Sequence, residues 1–458
     1  MGTIPSLIDD TGKQSAGRRG SRNVNVVTEI NGDIPIDSDI PDGAHILVIS
    51  KDQTYLTHGI HKFPAKFFPE LPRYLIQKYS QVGATVLDPM CGSGTTVLEA
   101  MLSRRFGIGI DIDPMARLLT KVKTTALDSG PLERTKLWVI ERVRGMLEDH
   151  SHEPHVPGFP YRDCWFEPFI LRELGIIRDA IDMAARARAI EGGNSEEREN
   201  IHDFLKVVFS SIIREVSNAD SHCTRTVVRK RLHKEVAEGM AASRFISALS
   251  RQTDAMTAFS RACQTGGLPA AKVCEGTATK TGLGDEAIDL AVTSPPYINA
   301  VDYPRTHQLE MYWLGLMKAG PLSDVKRNYI GTETVYKEEY ADLRQSGFVA
   351  LDPSLKKIHK VDPRRSYITY KFFMDMKEQF CETLRILKPG GHYCVAIGNN
   401  TIRGVNIRSQ DILSEIAVSD DVGFTLEKRF FSGLIRHFIH IPRKERMSGE
   451  WILILKKE

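Results

Sequence analysis

The stretch VLDPMCGSGTT (residues 86–96) decides how this chain folds. Residues 84–87 are apolar and read as a short strand. Residues 88–93 form a turn, and residues 94–103 continue as a helix with Leu98, Met101 and Leu102 on one face. FGIGIDIDP (106–114) follows as a second buried strand that ends in carboxylates. Strand, tight turn, helix and strand in this order predict a parallel sheet covered by helices.

Working outward, the turn has the chemistry of a ligand loop. Gly92 and Gly94 let the backbone turn tightly and approach a bound molecule, and the helix amides that follow face whatever lies over the sheet edge. Asp111 and Asp113 end the next strand, where a carboxylate can accept hydrogen bonds from both hydroxyls of a ribose. No Gly-Lys-Ser/Thr follows the glycines, which excludes an ATPase phosphate loop, and the spacing is not the GxGxxG of nicotinamide sites. The loop therefore reads as the seat of a nucleotide-like cofactor.

A second signal lies far along the chain, in LAVTSPPY (290–297). Ser-Pro-Pro-Tyr after a strand sits where open α/β sheets bind ligands. The prolines remove amide donors and fix the backbone, so carbonyl oxygens dominate. Oxygens of Ser294 and Pro295 are placed to accept the two N–H groups of an aromatic amine, with Pro296 stiffening the clamp and Tyr297 offering a face to a planar ring.

Bulk properties set the bounds. The 458 residues exceed one minimal domain, and 41% are apolar. A net charge of +3 leaves room for a local basic face. The seven cysteines are scattered without CxxC pairs, which argues against a disulfide framework or structural zinc and for a reducing, cytoplasmic setting. No apolar run approaches membrane-spanning length, no signal-peptide pattern opens the chain, and the histidines fall in no metal-ligand spacing.

Residues 1–43 read as a mobile tail, 44–130 as a cofactor-binding half, 131–265 as a helical insertion and 266–458 as a catalytic half. In the insertion, amphipathic helices are expected over 166–190, 196–216 and 234–263. Further strands are expected at 45–50, 271–276, 288–294 and 392–398. A helix over 372–387 should end at the turn signal KPGG, and 424–431 with 450–457 should close the sheet as an antiparallel pair. The fold class is α/β, a mostly parallel Rossmann-like sheet with an antiparallel closing strand plus a helical insertion.

These motifs resemble the S-adenosylmethionine-dependent amino-methyltransferases of DNA, the cytosine-N4 and adenine-N6 family. DPMCGSGTT is similar to that family's cofactor motif and TSPPY to its catalytic motif. HKFPAKFFP (61–69) resembles the segment that closes over the methionine end of the cofactor. The resemblance covers about 55–125 and 270–457, with the cofactor motif first. It implies that Asp88, Pro89, Cys91, Gly92, Ser93, Gly94 and Thr95 line the cofactor, that Asp111 holds the ribose, and that Lys66 and Phe67 flank the methionine part. Thr277 stands where the family often has an aspartate near the adenine amine. Ser294 at the head of the catalytic motif points to cytosine, and Ser294, Pro295, Pro296 and Tyr297 would form the target-base site.

The implied partner is DNA, double-stranded, with the base flipped out for direct transfer. A separate restriction or defence protein is the other expected partner, and the expected location is the cytoplasm, at the nucleoid. Methylation at cytosine carbon 5 needs a nucleophilic thiolate, and no Pro-Cys motif is present. Basic runs at 224–234, 355–365 and 435–446 are candidate phosphate contacts, through Arg229, Arg231, Arg364 and Arg436, with Arg403 and Arg408 beyond the IGNN strand end. Asp302 and Tyr303 are placed to shape the base pocket, whereas His58 and His61 read as structural. Target recognition falls to the insertion or, as its rival, to 318–370. Adenine in DNA, a base amine in RNA, and a binding protein that keeps the fold without turnover remain alternative readings.

Overall fold

The computed structural model describes residues 3–5, 26–64, 66–186, 194–220, 223–228, 234–298, 301–317, 326–433 and 448–458. Strands β1 (Thr3–Pro5), β2 (Val26–Asn31), β3 (His45–Ile49), β4 (Thr85–Asp88), β5 (Phe106–Asp111), β6 (Lys272–Glu275), β7 (Ile288–Thr293) and β8 (Leu387–Ile397) precede the small hairpin β9 (Asn400–Ile402) and β10 (Val405–Ile407). The last two are β11 (Thr425–Gly433) and β12 (Gly449–Lys456). All but the hairpin join one sheet in the order β1-β2-β3-β11-β12-β8-β7-β4-β5-β6.

The run from β6 to β8 is parallel throughout, and β12 enters antiparallel between β8 and β11. The chain order reverses between β4 and β7. One half of the fold winds away from that seam and the other half winds back to it, which opens a crevice at the carboxyl ends of these two strands.

The central strands read as continuous apolar runs because both faces are covered. Val86, Leu290, Val292, Cys394 and Ala396 pack to one side with Leu71, Tyr74 and Leu75 of α1 (Glu70–Tyr79). The alternate residues Leu87, Ala291, Tyr393 and Val395 face the other side. There they meet Phe372, Phe373, Met376 and Phe380 of a long helix, Pro363–Ile386. Burying each such aromatic ring contributes about 1.5–3 kcal/mol, so this face rests on a handful of side chains.

Helix α2 (Thr95–Leu102) follows the glycine turn, and α3 (Pro114–Thr124) follows β5. The insertion consists of α4 (Ser129–Glu148), α5 (Pro168–Arg186), α6 (Ser195–Ile213) and α7 (Met240–Gly266). The last three lie close to the expected helices, and α4 is additional. Its apolar residues Leu132, Val139, Val143 and Met146 share one core with Leu98, Met101, Met115 and Leu119 of α2 and α3. The insertion is thus welded to the cofactor half.

Three further differences have local causes. The stretch read as a tail contains β2, which pairs in parallel with β3, and buries Ile34 and Ile40 in the sheet core. The helix expected from 372 begins at Pro363, where Asp362 accepts from the Arg365 amide at 3.0 Å. KPGG is a bulge inside β8: pairing with β7 leaves at Leu387 and resumes at His392, with Gly390 at φ +76°.

One buried side chain fixes how α7 begins. Gly239 supplies no capping oxygen, so the Glu173 carboxylate of α5 accepts from the amides of Gly239 (2.6 Å), Ala241 (2.9 Å) and Ala242 (3.1 Å). Glu173→Ala leaves these donors unsatisfied and should lower stability by about 2 kcal/mol or more, read from urea unfolding; an unchanged midpoint would contradict the capping role.

Candidate active site at the seam of the parallel strands

Asp88 closes β4 and Thr293 closes β7, side by side. The Asp88 carboxylate accepts from the Thr293 hydroxyl at 2.7 Å and from the Met90 amide at 3.1 Å. Burial raises this carboxyl to about 6. Beyond them the glycine turn and the Ser-Pro-Pro-Tyr loop open onto one cavity of about 500 Å³.

The glycine turn is shaped by its packing on α3. Gly92 and Gly94 have φ of +49° and +79°, and a Cβ on Gly94 would stand 2.8 Å from the Thr120 side chain. Thr120 also donates to the Gly92 carbonyl at 3.1 Å. Cys91 is buried against the same threonine, and burial pushes its thiol well up. Asp111 accepts from the Gly92 amide at 2.8 Å and the Asp113 amide at 2.9 Å. Its carboxyl stands at about 7, raised by burial and then by the charge of Asp113. Asp113 itself caps α3 through the Met115 amide at 2.8 Å.

A second wall comes from the HKFPAKFFP segment, whose flanking residues on both sides bond to Glu99 of α2. The buried Glu99 carboxylate accepts from Arg73 at 2.8 Å, from Tyr55, and meets His58 Nε2 at 2.7 Å. Burial lowers His58 to about 4, and His61 likewise, so both are structural neutral rings in this setting. Lys66 donates to the carbonyls of Gln53 (2.7 Å) and His58 (3.1 Å), and burial lowers its ammonium to about 8.

Of the residues expected from sequence, Lys66, Phe67, Asp88, Pro89, Cys91, Gly92, Ser93, Thr95, Asp111, Thr277, Ser294, Pro296 and Arg364 line the cavity. Gly94 and Pro295 stand behind it as backbone supports. Tyr297 is the main departure: its hydroxyl donates to Glu450, and its ring packs against the core on the far side of the loop. A phenol at the sheet rim needs a partner once buried, and Glu450 of β12 provides it. Among the rings that line the cavity, Tyr303 and Phe63 stack at 5.7 Å, with His307 packed on Phe63 at 5.1 Å. Phe63, Tyr329, Arg225 and Arg305 also line it and were not singled out from sequence. Phe63 lies inside the HKFPAKFFP motif and Arg225 inside the basic run 224–234, whereas Tyr329 and Arg305 carry no local signal.

Arg403 pairs with Asp362 at 2.7 Å, on the β9–β10 hairpin side, away from the cavity lining. Arg229, Arg231 and Arg436 lie outside the described residues. Among the described residues no helix is long and apolar enough to cross a membrane.

Residues 44–121 match a protein family described as DNA methylase. The type II methyltransferase M.MvaI of Kocuria varians is 24% identical over 385 residues, 79% of this chain and 81% of that protein. M.MjaII of Methanocaldococcus jannaschii is 35% identical over 103 residues, 22% of this chain and 19% of that protein. M.BsoBI of Geobacillus stearothermophilus is 24% identical over 288 residues, 57% and 53% of the two chains.

The raised Asp111 carboxyl has a consequence for binding. A hydroxyl donates to the carboxylate form, so affinity for a nucleoside ligand that sets its diol on Asp111 should rise as pH climbs through about 7 and fall below it. Calorimetric titration at about pH 6 and about pH 8 should differ roughly tenfold, and Asp111→Asn should flatten that dependence. A steep profile retained in the variant would assign the titration to another group.

Proposed function

We propose that this chain is an S-adenosylmethionine-dependent amino-methyltransferase of DNA, a reading that its likeness to DNA methylases and type II methyltransferases supports, and that it methylates the exocyclic N4 of cytosine. The observation that carries this reading is the shared cavity: the turn of Gly92 and the loop of Ser294 line it together, at the ends of parallel strands paired Val86↔Leu290 and Leu87↔Ala291.

The residues present fit the cofactor. Asp111 presents a carboxylate at the cavity wall. Among the described residues, the buried Thr95 hydroxyl at the cavity has no protein partner and the amides that open α2 have no side-chain cap. These are acceptor and donors for a diol and for a charged amino-acid end. Asp111 would hold the ribose, Phe67 and Lys66 would border the methionine part, and Thr277 the adenine. The cofactor supplies an activated sulfonium methyl, so the protein's task is alignment.

Ser294, which lines the cavity, would accept an amine N–H and favour the pyramidal nitrogen. The Asp88–Thr293 bond would hold that loop in register with the cofactor turn. Tyr303 and Phe63, in place of Tyr297, are the faces available for stacking a flipped base. Cys91 supports a direct transfer, because a thiol so buried and so raised is no nucleophile. Ser294 is the feature that favours cytosine over adenine. The reading extends to double-stranded DNA as substrate, to a location at the nucleoid in the cytoplasm, and to a separate restriction or defence protein as partner.

The test is to incubate the protein with labelled S-adenosylmethionine and DNA, digest to nucleosides and identify the product by mass. N4-methylcytosine is expected; N6-methyladenine, or label on RNA alone, would overturn the assignment. Ser294→Ala should lower kcat by about 10²–10³ while the cofactor Kd stays unchanged, checked by single-turnover kinetics and calorimetry.

A further inference from the structure

The floor and the mouth of the cavity carry opposite charge. Asp88 and Asp113 are buried and Asp111 is half-buried, whereas Arg225 and Arg364 are exposed and Arg305 and Lys326 half-buried, all lining the same cavity. These cations come from different segments. Arg225 stands on the loop after α6, in the insertion. Arg305 follows the catalytic loop, and Arg364 opens the long helix Pro363–Ile386.

Two features show that the positions are built. The buried Thr226 hydroxyl donates to the Thr306 carbonyl at 2.8 Å, which ties the segments carrying Arg225 and Arg305 together, and both arginines line the one cavity. The loop carrying Arg225 is itself pinned: Arg214 donates to the carbonyls of Thr224 (3.1 Å), Asp220 (3.2 Å) and Cys223, and the Asp220 amide bonds Val227 at 2.8 Å. Like charges fixed next to each other cost free energy unless an anion sits between them.

The carboxylates nearby do not supply that anion. Neither Arg225 nor Arg305 forms a salt bridge among the described residues, whereas Asp302 is taken by Lys326 and Glu333 is held by Arg365 at 2.8 and 3.4 Å. Burial alone would raise the Glu333 carboxyl; the Arg365 bond and the charges of Arg365, Arg225 and Arg364 hold it below its usual range. That single carboxylate thus sits among three guanidiniums from two segments, and the Arg364 guanidinium also donates to the Glu333 carbonyl at 2.6 Å.

We infer that Arg225 and Arg305, with Arg364 beside them, form a phosphodiester-binding rim that grips the DNA backbone flanking the extruded nucleotide. The inference rests on the reading of this cavity as the methyl-transfer site, and it assigns part of DNA docking to the insertion and part to the segment once set against it. The charge layout agrees with the two ligands: a cationic sulfonium compound over acidic residues, a polyanion at the basic edge.

The test measures binding of a fluorescent random-sequence duplex by anisotropy between about 50 and 200 mM salt. Each of Arg225→Ala and Arg305→Ala should weaken binding several-fold and lower the slope of log affinity against log salt by about one. The Arg225→Ala/Arg305→Ala pair should lower it by about two, with the S-adenosylmethionine Kd unchanged as proof of folding. Arg225→Lys should recover most of the loss, and Arg142→Ala on the outer face of α4 should match the unmodified protein. Unchanged duplex affinity and slope in the paired variant would overturn the rim, as would loss of affinity for single-stranded RNA alone. If the unmodified protein transfers no methyl to DNA, the functional reading fails on that result, while the binding comparison still decides the rim.

Discussion

The Asp88 carboxylate and the Thr293 hydroxyl meet at 2.7 Å across 205 residues of chain, at the ends of two strands that lie next to each other. Everything the cavity does depends on that junction. It fixes the glycine turn after β4 against the proline loop after β7, and it satisfies a buried carboxylate that would otherwise penalise the fold. Parallel pairing of β4 with β7 puts both loops at the same sheet end, and the reversal of winding there leaves the space between them open.

Around the junction, rigidity comes from buried polar contacts that tie sequence-distant segments to α2 and α3. Glu99 gathers Tyr55, His58 and Arg73, which folds the segment before β4 over the cavity. Thr120 fills the space that a side chain at Gly94 would occupy. The insertion adds its apolar core to the same helices, so Arg225 is carried on a stiff support. A ligand site assembled from such anchored groups loses little conformational entropy on binding.

The predictable and unpredictable parts of the site divide by range of interaction. The turn glycines, Asp111 and the Ser-Pro-Pro clamp were legible because each owes its role to backbone conformation or to its place at a strand end. The basic run 224–234 marked the segment of Arg225, but nothing near it in sequence says that Thr226 bonds to Thr306 and so ties that segment to the one carrying Arg305. Tyr297 was assigned the stacking face by its motif, yet Glu450, from the far end of the chain, claims its hydroxyl. The polar stretch before residue 44 looked unstructured because the short run VVTEIN is weakly apolar, and its strand character comes from pairing with β1 and β3.

The amino-acid sequence alone determined the strand–turn–helix of the glycine loop, the helical character of the insertion and the closing antiparallel pair. These follow from periodicity, glycine and proline placement, and residues adjacent in the chain. Tertiary structure decided which aromatic rings face the cavity, which arginines stand together at its mouth, and that the insertion shares the core of the cofactor half. Those outcomes depend on burial and on hydrogen-bond partners hundreds of residues away, and such pairings leave no local pattern to read.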